Sequence, residues 1–372
     1  MTSINMQQCF VRNEELKHYP KVSIDSIQSK FQLMISSTSH IYGKCLFVLI
    51  MFLFNLYYFR ELLYFSLDAI FSFTFESFIR LLYGNGIDMV FYFKYNHKLM
   101  KTIDDDWNGL QIDFDYETRK YFWTHKAKCR RLINVVSIFY LIITCFYPIS
   151  LYNTQQRIKL VQHIIYYFCL LVCFPLYQYK RFCHCCIYVD LILLAQTAVQ
   201  FNLIKLQKLL NETRKDEKSL NINVIENARN KYLLSCRLID KMNDIMSPCL
   251  FFIFTNFAVN AGHLFYNLLY TKEDEAGKLI TNFQLSCSLT LVLLYTHLSL
   301  KIHEKSLESL ATVYKLSLKT NSIRLLNEIS LFLNHNEIGF TFGGMFMLTT
   351  SSLSTLFSII VTIVFALPTF AR

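Results

Sequence analysis

The stretch LINVVSIFYLIITCFYPISLYNTQQ, residues 132–156, carries no charged side chain over 25 residues. A helix needs roughly 20 apolar residues to cross the hydrocarbon core of a bilayer, so this block is long enough to span a membrane. Uncharged blocks also occur at 160–179 and 284–300. The sequence therefore predicts an all-α membrane protein.

The composition of the whole chain also indicates a membrane protein. Hydrophobic residues make up 53% and charged residues 17% of the 372 residues, which is unlike a soluble domain. The first 44 residues are polar and mixed in charge, so we expect no cleavable signal peptide and a cytosolic N-terminus. The twelve cysteines lie mostly in apolar blocks, which argues against a secreted disulfide framework.

The basic residues orient the chain in the membrane. Segments 1–44, 94–131, 205–241 and 301–324 carry 5, 9, 9 and 5 lysines and arginines, whereas 271–278 carries two against three acids. Cationic loops stay in the cytosol, so the four rich segments are predicted inside. Because membrane topology explains the net charge of +10, we expect no nucleic acid as a partner.

Seven transmembrane helices satisfy this orientation, with the N-terminus cytosolic and the C-terminus extracellular. They are predicted at 45–59, at 67–93, in two of the three blocks 132–156, 160–179 and 182–204, and at 248–269, 280–300 and 345–370. Three crossings between 132 and 204 would place the next basic loop outside, so one block must fail to span. The sequence leaves open which block this is.

The cytosolic loops 205–240 and 303–334 are themselves predicted to be helical. Leucine, isoleucine, lysine and glutamate recur in them at roughly helical spacing. We expect the neighbouring spans to continue into the cytosol as long helices that pack against each other. Such a cytosolic extension suits oligomerisation.

The last predicted span carries a stripe of hydroxyl groups. Ser351, Thr355, Ser358, Thr362 and Thr369 lie at offsets 0, 4, 7, 11 and 18, so they share one face of a helix. Eighteen residues rise about 27 Å, close to the hydrocarbon thickness. A stripe of this length suits the wall of a pore, because hydroxyls solvate ions without binding them tightly. The alternative is that the hydroxyls bond back to their own helix or join neighbouring helices.

A second polar stripe lies in the outer half of the span after Pro248. Asn256, Asn260 and His263 recur there at helical spacing, and polar groups in lipid must face protein or water. We predict that they line an outward-opening ligand pocket with side chains from neighbouring helices. The further pocket residues are Tyr266, Tyr147, Asp68 and Gln284. Hydrogen bonds between helices are the alternative role for this stripe.

The remaining motifs predict neither a metal site nor an enzyme. The run Cys183-His184-Cys185-Cys186 lacks a second ligand pair at a suitable spacing for zinc. The run 104–107, DDDW, is interpreted as a solvated acidic turn. The chain has no phosphate-binding glycine loop, nucleophile elbow or HExxH sequence, so we expect no cofactor.

The final span resembles that of the insect gustatory receptors, a family in the insect chemoreceptor superfamily that also includes the odorant receptors. In that family the last helix ends in Thr-Tyr, five apolar residues and Gln-Phe. Here Thr362, the residues 364–368 and Phe370 fit this pattern, while Ile363 replaces the tyrosine and Thr369 replaces the glutamine.

The approach to the last helix and the rest of the chain carry further likeness to this superfamily. Gly344, Phe346, Leu348, either Ser351 or Ser352, and Leu353 fit the stretch that precedes the motif. The residue pairs at 106–107 and 200–201 are more similar to the odorant branch, whereas 331–342 is more similar to the gustatory branch. The branch therefore stays open.

The resemblance implies a homotetrameric, ligand-gated, non-selective cation channel that a small-molecule tastant opens from an outward-facing transmembrane pocket. Thr369 and Phe370 would form the outer constriction of the pore, with Thr362 and Ile363 two turns deeper. The implied location is the plasma membrane of chemosensory neurons. The implied partners are the ligand, the permeating cations, other copies or related subunits, and the lipid bilayer.

This interpretation divides the chain into four parts. Residues 1-44 form a cytosolic N-terminal segment, and residues 45-300 form transmembrane helices one to six with cytosolic extensions. Residues 301-343 form a cytosolic anchor region between subunits, and residues 344-372 form the pore-lining last helix. The three boundaries between these parts are expectations from sequence.

Three other functions are alternatives to the gustatory channel. An odorant receptor subunit that needs a co-receptor belongs to the same superfamily. A seven-helix G-protein-coupled receptor would need an extracellular N-terminus, and the chain lacks Asp-Arg-Tyr after the third span and Asn-Pro-x-x-Tyr in the last. A transporter is disfavoured because the two halves of the sequence do not repeat.

Overall fold

The computed structural model describes residues 19–22, isolated positions between 42 and 94, and the ranges 97–112, 115–152, 174–215, 220–270, 275–335 and 337–370. Within these ranges, several side chains of the helices fall outside the description, including those of 143–152, 263–270 and 363–370. The predicted spans 45–59 and 67–93 lie almost entirely outside the described residues.

The described part of the chain is almost wholly helical, which confirms the all-α part of the predicted fold class. The helices are α1 His97–Leu110, α2 Tyr116–Tyr152, α3 Phe174–Lys215, α4 Ile222–Tyr270, α5 Glu275–Ser317, α6 Ile323–Leu333 and α7 Thr350–Phe370. Between α6 and α7, the strands β1 Thr341–Phe342 and β2 Phe346–Met347 pair as an antiparallel hairpin.

Three of these helices are much longer than a bilayer is thick. With 42, 49 and 43 residues, α3, α4 and α5 extend about 63–74 Å at 1.5 Å per residue, against about 30 Å of hydrocarbon. A helix of this length that crosses a bilayer projects well beyond the hydrocarbon core. The predicted helical extensions of the spans agree with these lengths.

Contacts between α2 and α3 show that the two helices run antiparallel. The Tyr121 hydroxyl donates a hydrogen bond to Gln196 at 3.1 Å, and Arg130 donates to Asp190 at 2.6 Å. The residue numbers of the contacting pairs rise along α2 while they fall along α3. The middle of α3 therefore packs beside the N-terminal part of α2. The sequence places this part of α2 in a cytosolic loop.

The helix α4 runs antiparallel to both α3 and α5. Asn202 of α3 donates to the Ser235 hydroxyl of α4 at 2.7 Å, whereas the Tyr232 hydroxyl of α4 lies 2.9 Å from the Ser306 hydroxyl of α5. Polar groups thus fix the register of neighbouring helices inside an otherwise apolar core.

The central helix of this bundle is α3, and its burial changes the interpretation of the apolar block 182–204. The most apolar window of 182–215 is 94% buried inside the protein, so this block faces other helices and not lipid. An apolar run is typical of a buried core helix as well as of a membrane span. The end of the second block, 174–179, and the whole third block belong to one continuous helix, so they are not two separate crossings.

Three described helices contain windows that are long and apolar enough to cross a membrane. They lie in Phe182–Lys215, Ile222–Val259 and Leu285–Ser317. Seven crossings, the cytosolic N-terminus and the extracellular C-terminus stay predictions from the sequence.

The acidic run at 104–106 is not a solvated turn, because it lies inside α1. Asp106 pairs with Lys241 of α4 at 2.5 Å, and Trp107 is 1% exposed. The Trp107 indole donates to the Val22 carbonyl at 3.1 Å. Asp106 looked exposed in the sequence because its partner on α4, Lys241, is 135 residues away. Asp104 accepts a hydrogen bond from Asn108 of the same helix, and Asp105 is exposed.

The cysteine run on α3 is part of the protein core. Cys183, Cys185 and Cys186 are buried. In the described part of the chain, no group of three or more metal-ligating side chains comes together.

A carboxylate caps the start of α2. Asp115 accepts hydrogen bonds from the backbone N–H and the hydroxyl of Thr118, and its Oδ1 lies 3.6 Å from the Lys205 ammonium. Burial raises the pKa of Asp115, but the Thr118 hydroxyl and the nearby ammonium groups outweigh burial and lower the pKa below its ordinary value. The ionised cap therefore stabilises the folded state.

The variant Asp115→Ala is expected to lower the free energy of unfolding by about 1 kcal/mol near neutral pH, as for other lost caps. Because the folded pKa is depressed, this contribution is present above the unfolded pKa of about 3.9 and is lost as the pH falls through the folded value. Thermal unfolding at a series of pH values measures the contribution of Asp115. The control is Glu117→Gln, which removes a carboxylate from the first turn of the same helix. An equal difference from the native chain at neutral and acid pH would contradict the ionic part of this cap.

Candidate functional site

The last helix, α7, has one buried and one exposed side within the single chain. Leu353, Leu356 and Phe357 pack against the core. Ile359 and Val361 are 50% and 51% exposed. The helix therefore lies on the outside of the bundle and leaves half its circumference uncovered.

The predicted hydroxyl stripe lies in the middle of this uncovered side. Ser351, Thr355, Ser358 and Thr362 are all exposed. At 100° per residue, their mean direction points away from the half-buried Leu353, Leu356 and Phe357. The apolar Ile359 and Val361 flank the stripe, one on each side. A polar strip with apolar flanks is therefore presented to whatever covers α7.

Two of these hydroxyls also bond back to their own helix. The Thr355 hydroxyl donates to the Ser351 carbonyl at 3.1 Å, and the Thr362 hydroxyl donates to the Ser358 carbonyl at 2.8 Å. Donation satisfies the hydroxyl hydrogen, and the oxygen lone pairs remain free to accept from water or to face a cation. Local bonding and a water-facing stripe are therefore compatible.

The remaining predicted gate residues can be placed only by their backbone. Ile363, Thr369 and Phe370 continue the helix α7, which runs without a break through Pro368 to its last described residue. Their side chains lie outside the described part of the chain, so the outer constriction stays a prediction.

The hairpin before α7 is a tight turn that glycine makes possible. Gly343 and Gly344 adopt φ angles of 59° and 75°, a left-handed conformation that strains other residues. The Phe342 and Phe346 rings stack across the hairpin with centroids 5.3 Å apart. The sequence motif included Gly344 and Phe346 but did not predict this turn.

The helix α4 holds the hairpin through hydrogen bonds. The Asn243 side chain accepts from the Thr341 N–H at 2.9 Å. The Ser247 hydroxyl accepts from the Gly344 N–H at 2.7 Å, and the Ser247 carbonyl accepts from the Gly343 N–H at 3.2 Å. A displacement of α4 at this level would therefore carry the start of α7 with it.

The variant Ser247→Ala is expected to lower the free energy of unfolding by about 1–3 kcal/mol, because it leaves the Gly344 N–H without its acceptor. Thermal unfolding of the purified chain measures the loss. Ser317→Ala is the matched control, since that exposed hydroxyl bonds only to the carbonyl of Tyr314 in its own helix. A loss no larger than the control would show that the hairpin does not depend on Ser247.

The predicted ligand-pocket residues are spread over helices whose outer side chains are largely outside the description. Asn256 is half-buried on α4 and has a partner. Tyr147 lies on α2 and Gln284 on α5, with undescribed side chains. The same holds for Asn260, His263 and Tyr266 on α4, while Asp68 lies outside the described residues. Whether these side chains meet is therefore untested.

The position of the polar stripe on α4 is nevertheless informative. Phe251 and Phe254 pack on Phe342 of the hairpin, with centroids 5.6 Å apart in each case. Asn256 follows within one turn. The α4 residues that hold the hairpin and the α4 residues predicted to line the pocket thus follow each other along the same helix.

A buried ionic group on α3 is absent from the predicted site residues. Asp190 is 1% exposed and pairs with Arg130 at 2.6 Å and with Lys126 at 3.2 Å. The available signal was an ionisable residue inside the apolar block 182–204, which must find a partner. The group joins α2 to α3 next to the buried cysteines.

Among solved structures, the chain is similar to the insect olfactory receptor OR5 from Machilis hrabei in complex with eugenol. The TM-score is 0.70 at 11% sequence identity, over 93% of this chain and 97% of that chain. A second structure of OR5 from Machilis hrabei gives a TM-score of 0.63 at 10% identity, over 88% and 90%. The sequence matches no protein family profile and no curated protein. At these identities the likeness shows a shared fold.

Proposed function

We propose that this chain is a subunit of a ligand-gated, non-selective cation channel of the gustatory-receptor type within the insect chemoreceptor superfamily. The exposed face of α7 carries the proposal. A polar strip between two apolar flanks suits a helix that faces a central water-filled path and contacts neighbouring copies on both sides. Four copies around one axis would bring four such strips together.

The whole-chain likeness in fold to an insect olfactory receptor supports the same proposal. It extends over 93% of this chain and 97% of that chain. The motif at 362–370 adds an independent sequence resemblance. The agreement of fold, motif and exposed face favours a channel over a seven-helix G-protein-coupled receptor.

The ligand in this proposal is a small-molecule tastant that binds in the outer half of the helices. The binding residues are those predicted from sequence on α2, α4 and α5 together with Asp68. A ligand that binds the open arrangement better shifts the population toward it. The clamp of Ser247 and Asn243 on the hairpin supplies a mechanical connection from α4 to α7.

Cysteine accessibility tests the orientation of α7. In the variant Ser358→Cys, a charged thiol reagent added from water is expected to reduce the ligand-evoked current by about tenfold, because it places a bulky cation on the path. Phe357→Cys is the matched control, since Phe357 packs against the core. The native chain treated in the same way corrects for exposed native thiols such as Cys45. Equal modification at both positions, or no effect at Ser358→Cys, would refute the pore assignment.

An odorant receptor subunit is the second candidate, and the fold likeness to an olfactory receptor favours it. Expression of the chain alone, with a tastant panel and calcium influx as the signal, separates the two candidates. Currents from the chain alone support the gustatory proposal. Currents that appear only with a co-receptor support the odorant alternative.

A further inference from the structure

The seam between α2 and α5 brings basic groups from both helices together. The Lys305 ammonium of α5 donates to the Tyr121 hydroxyl of α2 at 2.6 Å, and the Tyr121 and His125 rings lie 4.1 Å apart. Lys301 lies one turn before Lys305 on α5. We define the basic seam as His125, Lys128, Lys301 and Lys305. All four lie outside the predicted spans 132–156 and 280–300.

These groups lie close enough to repel one another. Burial lowers the pKa of His125, and three neighbouring ammonium groups lower it further; they belong to Lys305, Lys301 and Lys128. Burial and then the charge of Lys301 lower the pKa of Lys305 to about 8. The seam therefore holds an excess of positive charge.

The nearby carboxylates do not neutralise this excess. Asp190 already pairs with Lys126 and Arg130. The Glu308 carboxylate lowers the positive potential at Lys305. One of its oxygens is already occupied, because it accepts a hydrogen bond from Gln207 at 3.0 Å. Glu304 is exposed, and within the described ranges it forms no ion pair with Lys301 or Lys305. The seam is thus suited to an anion from outside the chain.

An exposed apolar stripe on α2 begins where the basic seam ends. Lys128 is exposed, and the positions four, seven, eleven and fourteen residues later lie on the same helical face. These positions are occupied by Leu132, Val135, Phe139 and Ile142, which are 37%, 50%, 49% and 44% exposed. One stripe therefore changes from basic to apolar within a single turn.

The helix α5 shows the same change at the same level. Leu293 is 48% exposed, His297 is exposed and Lys301 is half-buried, and the three are spaced four residues apart. Because α5 runs opposite to α2 at Tyr121, the apolar parts of both stripes extend in the same direction. An apolar band above a basic band is the pattern of a membrane interface.

We propose that the basic seam binds the headgroup of an anionic phospholipid from the leaflet at this end of the bundle. The phosphate lies between Lys128 and Lys301, with Lys305 and His125 behind them. An acyl chain lies along Leu132, Val135 and Phe139 on α2 and Leu293 on α5. The apolar stripes select a lipid over a water-soluble anion, because only a lipid satisfies both parts of the surface. This proposal requires membrane insertion but not the channel function.

Lipid retention measured by native mass spectrometry tests the proposal. The full chain is reconstituted in bilayers of phosphatidylcholine with phosphatidylserine and then transferred to detergent. The variant K128Q/K301Q is expected to retain phosphatidylserine roughly 30-fold more weakly, because each cation near an anionic leaflet contributes about a factor of five. The variant K315Q/K319Q removes the same charge from exposed positions further along the chain and is expected to retain the lipid like the native chain. K128R/K301R is expected to retain it as well.

Three results would overturn the proposal. The first is an equal loss of lipid retention in K128Q/K301Q and K315Q/K319Q, and the second is no loss in either variant. The third is displacement of the lipid by inorganic phosphate at the same concentration at which phosphatidylserine saturates the seam. The single variant K128Q changes one exposed side chain and serves where the double variant does not fold, with an expected loss of about fivefold. Because no current is measured, failure of the channel proposal leaves this test unaffected.

Discussion

The variant Asp190→Ala is expected to lower the free energy of unfolding by about 3 kcal/mol, since it leaves two half-buried cations without their buried anion. Asp190 is 1% exposed, and its Oδ2 receives both Arg130 at 2.6 Å and Lys126 at 3.2 Å. The side chains of Arg130 and Lys126 are only 29% and 13% exposed, so water cannot replace the carboxylate fully. Thermal and denaturant unfolding in detergent measure the loss.

Removal of the whole ionic group provides the control for this prediction. The triple variant Asp190→Leu, Arg130→Met and Lys126→Met is expected to recover most of the lost stability, because well-packed apolar side chains often replace a buried ion pair without cost. A triple variant as unstable as the single one would attribute the loss to packing on α3. A single variant within about 0.5 kcal/mol of the native chain would contradict the ionic role itself.

Removal of the α7 hydroxyls is expected to lower conduction about tenfold while preserving the fold. The combined variant Thr355→Val, Ser358→Ala and Thr362→Val converts the strip into an apolar surface, which favours dewetting of a narrow path. A barrier raised by about 1.4 kcal/mol lowers the conductance about tenfold. The fold is expected to remain intact, because all three side chains are exposed and the Thr355 and Thr362 hydroxyls donate to carbonyls of α7 itself. Single-channel recording and thermal unfolding measure the two effects.

The matched control for this prediction lies on α5. Ser286 and Thr290 also donate to carbonyls of their own helix, each at 2.8 Å. The variant Ser286→Ala and Thr290→Val removes the same chemistry from a different helix and is expected to conduct normally. Reduced conductance in the control, or unchanged conductance in the α7 variant, would contradict the assignment of the pore to α7.

The sequence predicted the helical fold class and the face of α7 that the structure leaves uncovered. Both follow from local periodicity: apolar residues mark helices that avoid water, and offsets of four, seven and eleven place hydroxyls on one face whatever the surrounding structure. The fit of Gly344 and Phe346 to a family motif also identified the residues of the hairpin, but not its turn or its clamp to α4.

The block 182–204 shows what a local sequence pattern cannot predict. Hydropathy records that a helix avoids water, and it does not distinguish lipid from protein as the surroundings. The continuous helix α3 is buried because α2, α4 and α5 cover it, and none of these contacts is local in sequence. The acidic run in α1 was misinterpreted for the same reason, since Lys241 neutralises Asp106 from another helix.

By itself the sequence determined that this protein is helical, that much of it avoids water, and which side of its last helix is polar, because these properties repeat within a few residues. The tertiary structure alone decided that α3 forms the core, that Asp190 joins α2 to α3, and that Ser247 holds the hairpin before α7. Those features depend on contacts between residues 60 to 97 positions apart. No pattern within one helix specifies which distant side chain will pair with a given residue of that helix.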